Sequence, residues 1–179
     1  MEIEEQKQEA LKTPNALAFK SALAYAIYFL ILIYIFKAAG IDQNNPDSSA
    51  IDKLVYSVAS YLPFILAVVY VQTNYKKELG GYISFKAAFS AGFKVAAYAG
   101  LFIALVLMLY YKVLDPAAYE RLIDSARAAA EGDPQKLKGV EMMQSYMIFF
   151  IGFGAAITYT IMGLITSLIG AAILKKEAV

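Results

Sequence analysis

MIFFIGFGAAITYTIMGLITSLIGAAIL, Met147 to Leu174, contains no charged residue and no amide side chain. An apolar run of 18 or more residues with almost no charge reads as a membrane-spanning helix. At about 28 residues this run is longer than the hydrocarbon core requires, so it tilts or projects from one face. Working back along the chain, three more blocks carry the same signature. Leu17 to Ala39 has an uncharged centre from Ala22 to Phe36, and Lys20 and Lys37 bracket it with stems long enough to snorkel toward headgroups. Leu54 to Val71 carries Ser57, Ser60, several Tyr and an interior Pro63. In a membrane, such a proline is a tolerated kink, provided Ser or a neighbouring helix re-satisfies the carbonyl it frees. Phe85 to Tyr111 is strictly uncharged from Val95 onward, with Lys86, Ser90 and Lys94 before that part at helical spacing.

These four spans (17–39, 54–71, 85–111 and 147–174) predict an all-α integral membrane four-helix bundle, preceded by a polar segment over 1–16. A soluble bundle needs a polar stripe on every helix, and the first and last blocks have none. The 1–16 segment is Glu-rich, unlike the basic start of a secretory signal, so the first block reads as a retained span. The connections are turn-rich. Gly40 to Lys53 contains Asn45-Pro46, and Gln72 to Lys86 contains Gly80-Gly81, after which Ser84 is placed to cap the third span and Phe85 to anchor at the interface. Lys112 to Tyr146 is the longest polar stretch. Asp115-Pro116 and Asp133-Pro134 each read as an N-cap followed by proline at the first helical position. Tyr119, Leu122, Ile123 and Ala126 share one face, so a short amphipathic helical excursion on the membrane surface is expected between spans three and four.

Composition narrows the chemistry. Of 179 residues 60% are hydrophobic, mean hydropathy is +0.54 and net charge is +1, against about 45–50% apolar in a soluble domain. Nothing in the charge favours nucleic acid. There is no Cys and no His, which removes disulfides, thiol nucleophiles, Cys/His zinc sites and Ser–His–Asp triads. No cofactor is implied. Fourteen Tyr and no Trp leave any interfacial aromatic belt to tyrosine. Four spans put both termini on one side, with Lys7, Lys12, Lys20, Lys76, Lys77, Lys86, Lys94, Lys175 and Lys176. Lys37, Lys53, Lys112, Arg121, Arg127, Lys136 and Lys138 fall on the other, nine basic residues against seven. The paired lysines sit close to span ends, so the positive-inside rule places both termini in the cytoplasm.

Span three carries a small residue at every fourth position: Ala88, Gly92, Ala96, Gly100 and Ala104. Such ladders allow close backbone approach. Packing against another span of the same chain and a dimer seam both fit, and Gly152-Ala156-Thr160 and Gly163-Ser167-Ala171 in span four are suited partners. Lys94 is the one charge well inside an apolar block, which makes it a candidate functional charge, although its stem reaches the basic end. Glu120 and Asp124, four apart and near Asp115, could hold a divalent cation or simply form a solvated face paired with Arg121 or Arg127. Met142, Met143 and Met147 read as adaptable packing before span four.

The run YKKELGGYISFKAAFSAGFKVAAYAG (Tyr75 to Gly100), then LYYKVLDPAAYERLID (Leu109 to Asp124) and the ending ITSLIGAAILKK (Ile165 to Lys176) resemble the bacterial membrane family known as domain of unknown function 4199. The resemblance runs from about Leu17 to Lys176, and Gly80-Gly81-x-Ile83-Ser84-Phe85 is its most specific part. It implies a four-span inner-membrane protein, mainly of Bacteroidota, and supplies no catalytic residues. Three functions remain open. The first is a non-enzymatic membrane module acting through helix association with itself or a membrane-protein partner in the lipid bilayer. The second is a subunit of a small transporter or channel, for which Pro63 offers a broken helix but the spans offer no acidic residue. The third is a membrane enzyme using the carboxylates of Asp115, Glu120 and Asp124.

Overall fold

A computed structural model describes residues 14–41 and 48–176. The segment before Pro14 and the Asn45-Pro46 turn lie outside the described residues. Four helices are long and apolar enough to cross a membrane. In chain order α1 is Asn15–Ala38, α2 is Ala50–Glu78, α3 is Phe85–Leu109, and a π turn follows over Tyr110–Leu114. Two short helices, α4 (Pro116–Ala129) and α5 (Pro134–Met143), form the excursion. A 3-10 turn at Gln144–Tyr146 leads into α6, Met147–Leu174. The chain is an integral membrane helical bundle, with α2–α3 and the end of α6 at one end (the turn end) and α4–α5 at the other (the excursion end).

The caps follow the sequence closely. Ser49, Ser84, Asp115 and Asp133 each accept a backbone N–H of the helix they begin, which satisfies donors that otherwise have no partner. Gly80 and Gly81 adopt φ of +73° and +90°, the left-handed conformation that ends a helix most cheaply at glycine. Ile83 then exchanges two backbone hydrogen bonds of 2.9 Å with Lys176. The Gly-Gly-x-Ile-Ser-Phe run therefore turns the chain, pins the end of α6 and caps α3 within six residues.

The second span differs from its expected limits. The helix continues through Gln72 to Glu78 instead of stopping at Val71. Gln72 and Tyr75 face inward and are buried, so this turn is packed in the bundle, and Lys76 and Lys77 complement its C-terminal dipole. The third span ends two residues early as an α-helix, because the π turn takes over at Tyr110.

At the centre is α3, which packs most extensively on α6 and also meets α1 and α2. Ala88, Gly92, Ala96, Gly100 and Ala104 are all buried. Their partners run antiparallel along α6. A Cβ on Gly92 would meet Ser167 Oγ at 2.6 Å, and one on Gly100 would meet the Ala156 carbonyl oxygen at 2.8 Å. From the other side, a Cβ on Gly163 would overlap Ala96 Cβ, and one on Gly152 would meet Met108 Cε at 2.8 Å. Within one chain this face of α3 packs on α6, with Gln72 of α2 also against Gly92. With no hydrophobic drive between helices in lipid, this close van der Waals fit is what holds the pair.

Pro63 shows how the bundle manages a lost donor. Proline has no N–H to give the Ala59 carbonyl one turn back. Tyr28 of α1 supplies one, its hydroxyl donating to Ala59 O at 2.9 Å. The next carbonyl, Ser60 O, accepts from the Tyr25 hydroxyl at 2.8 Å. Gln72 performs a similar task at the turn end. Fully buried, its Nε2 donates to Ala88 O at 3.0 Å and Ser167 O at 2.9 Å, joining α2 to both α3 and α6.

Candidate functional site

The excursion end holds a crevice whose walls come from every long helix. The π turn creates it. Adjacent residues on an α-helix point about 100° apart, yet Tyr110 and Tyr111 are 6% and 9% exposed and both face inward. The Asp115 N–H reaches back to Tyr110 O at 2.8 Å, five residues earlier, and this wider turn brings the pair round together. Such π turns recur at functional sites.

Asp115 is the centre of the mouth. Its carboxylate is almost fully buried and accepts from Lys37 Nζ at 2.5 Å, from the Tyr110 hydroxyl at 2.8 Å and from the Ala118 N–H at 3.2 Å. An Arg121 guanidinium nitrogen lies 3.5 Å from the same oxygen that Lys37 engages. The Lys37 ammonium holds the Asp115 carboxyl below the usual carboxylate range, with the Tyr110 hydroxyl helping and burial opposing. The group is therefore an ionised hub joining α1, the π turn and α4. The carboxylate is committed to structure, and Pro116 follows it at the first position of α4.

Behind this mouth lies a cavity of about 340 Å³, bounded by Phe36, Lys37, Tyr56, Tyr110, Tyr111 and Arg121. A second cavity of about 260 Å³ shares Tyr56, Leu107 and Tyr111 with the first and runs inward to Ser60, Tyr61 and Tyr159. Leu122 of α4 closes it from above. At its inner end the Tyr25 and Tyr159 hydroxyl oxygens lie 2.9 Å apart, within hydrogen-bond distance, and Tyr159 sits edge-on to Phe64 with ring centroids 5.2 Å apart. Ser60 is 2% exposed and its Oγ has no hydrogen-bond partner. A buried hydroxyl without a partner costs about 1–3 kcal/mol.

The other residues singled out by sequence lie elsewhere. Lys94 is half-buried on α3 in the turn-end half, and no carboxylate among the described residues pairs with it. Glu120 and Asp124 are exposed, and Asp124 pairs with Arg127 at 3.2 Å. Among the described residues no cluster of three potential metal ligands forms. Gly80, Gly81, Ser84 and Phe85 form the turn end, across the bundle from the crevice. Ser60, Tyr61, Tyr111, Tyr159 and the pairing of Lys37 with Arg121 are not assembled by any sequence motif. Their one trace is the polar spacing Tyr56, Ser57, Ser60, Tyr61 within an apolar block.

Fold and crevice together define a multi-pass membrane protein with a polar-mouthed, tyrosine-lined cavity in one half of its bundle. The family described as protein of unknown function (DUF4199) matches residues 20–176, and the chain belongs to that family. No curated protein and no solved structure matches the chain.

Proposed function

We propose that this chain is a non-enzymatic module of the bacterial inner membrane that works by association, holding a small ligand in the crevice at its excursion end. The observation that carries this reading is a cavity bounded by Lys37 and Arg121 that adjoins a second, tyrosine-lined cavity across Tyr56, Leu107 and Tyr111. Binding pockets of about 300–1,000 Å³ with an apolar lining and a few convergent polar groups are the usual form of small-ligand sites. Self-association through the span-three ladder is disfavoured, because α6 of the same chain fills it. The orientation that accompanies this proposal puts the termini in the cytoplasm and the crevice on the opposite side. Lys76, Lys77, Lys175 and Lys176 all lie at the turn end, and Lys76 Nζ reaches the Leu174 carbonyl at 2.8 Å.

Native mass spectrometry of protein extracted in a mild detergent tests the reading. The expected result is a chain carrying one small-molecule adduct, which Ala155→Phe abolishes by filling the inner cavity. A wild-type chain with no adduct, or an adduct that survives in Ala155→Phe, overturns it.

A further inference from the structure

We infer that the crevice takes a single-chain amphiphile whose head is a singly charged oxyanion, a phosphodiester or a carboxylate, bound between Lys37 and Arg121. This rests on the crevice being a ligand site and adds the chemistry of its occupant.

Lys37 and Arg121 line the outer cavity, and among the described residues the acidic group in contact with them is Asp115. Counted over those residues, two cations against one carboxylate leave one positive charge at the mouth. That surplus matches a monoanion and leaves a dianion under-compensated. Arg121 touches Asp115 only at 3.5 Å through one nitrogen, and a guanidinium has five N–H donors in a planar fork. Most of its donors remain for an oxyanion, the geometry in which arginine binds carboxylate and phosphate best.

Across Tyr56, Leu107 and Tyr111 the outer cavity adjoins the second one, which reaches Ile103, Ile151 and Ala155. The inner walls are mainly aliphatic and aromatic, and they carry no charge. A free anion would use only the mouth, and an apolar molecule would leave the mouth's charge unmatched. An amphiphile satisfies both ends.

The test uses the full chain, stripped of lipid in a neutral maltoside detergent, with the thermal unfolding midpoint as readout. Three probes are added separately: lysophosphatidylglycerol, an uncharged monoacylglycerol with the same acyl chain, and inorganic phosphate. The expected result is that lysophosphatidylglycerol raises the midpoint and the other two do not. Arg121→Gln weakens that binding roughly tenfold, the size of one charge-assisted contact, and Arg121→Lys, which keeps the charge but loses the planar fork, weakens it by a smaller factor. Equal effects of the lysolipid and the monoacylglycerol would remove the charged-head inference and leave a ligand cavity standing. A shift with phosphate alone would make the occupant a free anion. No shift with any probe would remove the inference and count against the crevice as a ligand site.

Discussion

Tyr28 and Pro63 form a pair whose coupling can be measured. The Tyr28 hydroxyl donates to the one carbonyl that Pro63 leaves without an intrahelical donor. Replacing Tyr28 with Phe strands the Ala59 carbonyl in the apolar zone between α1 and α2. A buried polar group left unpaired costs about 1–3 kcal/mol, while cross-helix hydrogen bonds in membranes average about 0.6 kcal/mol, reaching about 1.7. Tyr28 is only part-buried, so we expect Tyr28→Phe to cost about 1 kcal/mol, a fall of roughly 2–4 °C in midpoint for a chain of this size. Replacing Pro63 with Ala restores an N–H one turn beyond Ala59. In that background the carbonyl has its own donor, and Tyr28→Phe costs about 0–0.5 kcal/mol. The four proteins make a double-mutant cycle with a coupling energy near the full cost of Tyr28→Phe. Unfolding in a fixed detergent, followed by circular dichroism, reads it out. Tyr28→Phe costing the same in both backgrounds, within the about 0.3–0.5 kcal/mol expected of independent sites, would refute the idea that Tyr28 serves the proline.

Two further outcomes follow from the packing and the charged mouth. Gly163→Leu overlaps Ala96 and Phe64 and destabilises by about 1–3 kcal/mol. Gly154→Leu, on the same helix with nothing within 4 Å, stays within about 0.5 kcal/mol; thermal midpoints of the two variants compare them directly. Asp115→Asn removes a carboxylate whose folded value is depressed, so the native charge stabilises above the unfolded value of about 3.9. The stability gap between wild type and Asp115→Asn is therefore full at neutral pH, at about 1–3 kcal/mol. It closes as pH falls below about 4 toward the folded value. A gap unchanged down to acid pH would show that the charge on Asp115 contributes nothing.

The bundle was legible in sequence because membrane spans announce themselves by local composition. Met147 to Leu174 is helical over its whole length, as read. The caps at Ser84, Asp115 and Asp133 were legible for the same reason, since a cap and its helix are neighbours in the chain. The limits of span two were not. Gln72 reads as the start of a polar loop, and only the carbonyls of Ala88 and Ser167, distant in sequence, make it a buried residue. The crevice was hidden more deeply. Lys37 and Asp115 are 78 positions apart, and Tyr25 and Tyr159 are 134 apart. Hydropathy records that these residues are polar or aromatic and says nothing of which ones meet. The π turn was equally unreadable, because Tyr110 and Tyr111 fit a continuing α-helix as well as a widened one.

Photo-crosslinking in intact cells tests, without detergent, whether the crevice holds a small ligand in the membrane. Tyr61, in the inner wall, is replaced by a benzophenone-bearing amino acid, and the chain is weighed after illumination. The expected result is a mass increase equal to one small amphiphile, lost when Ala155→Phe is added. An unchanged mass, or an increase the size of another protein or of a second copy of this chain, would contradict it.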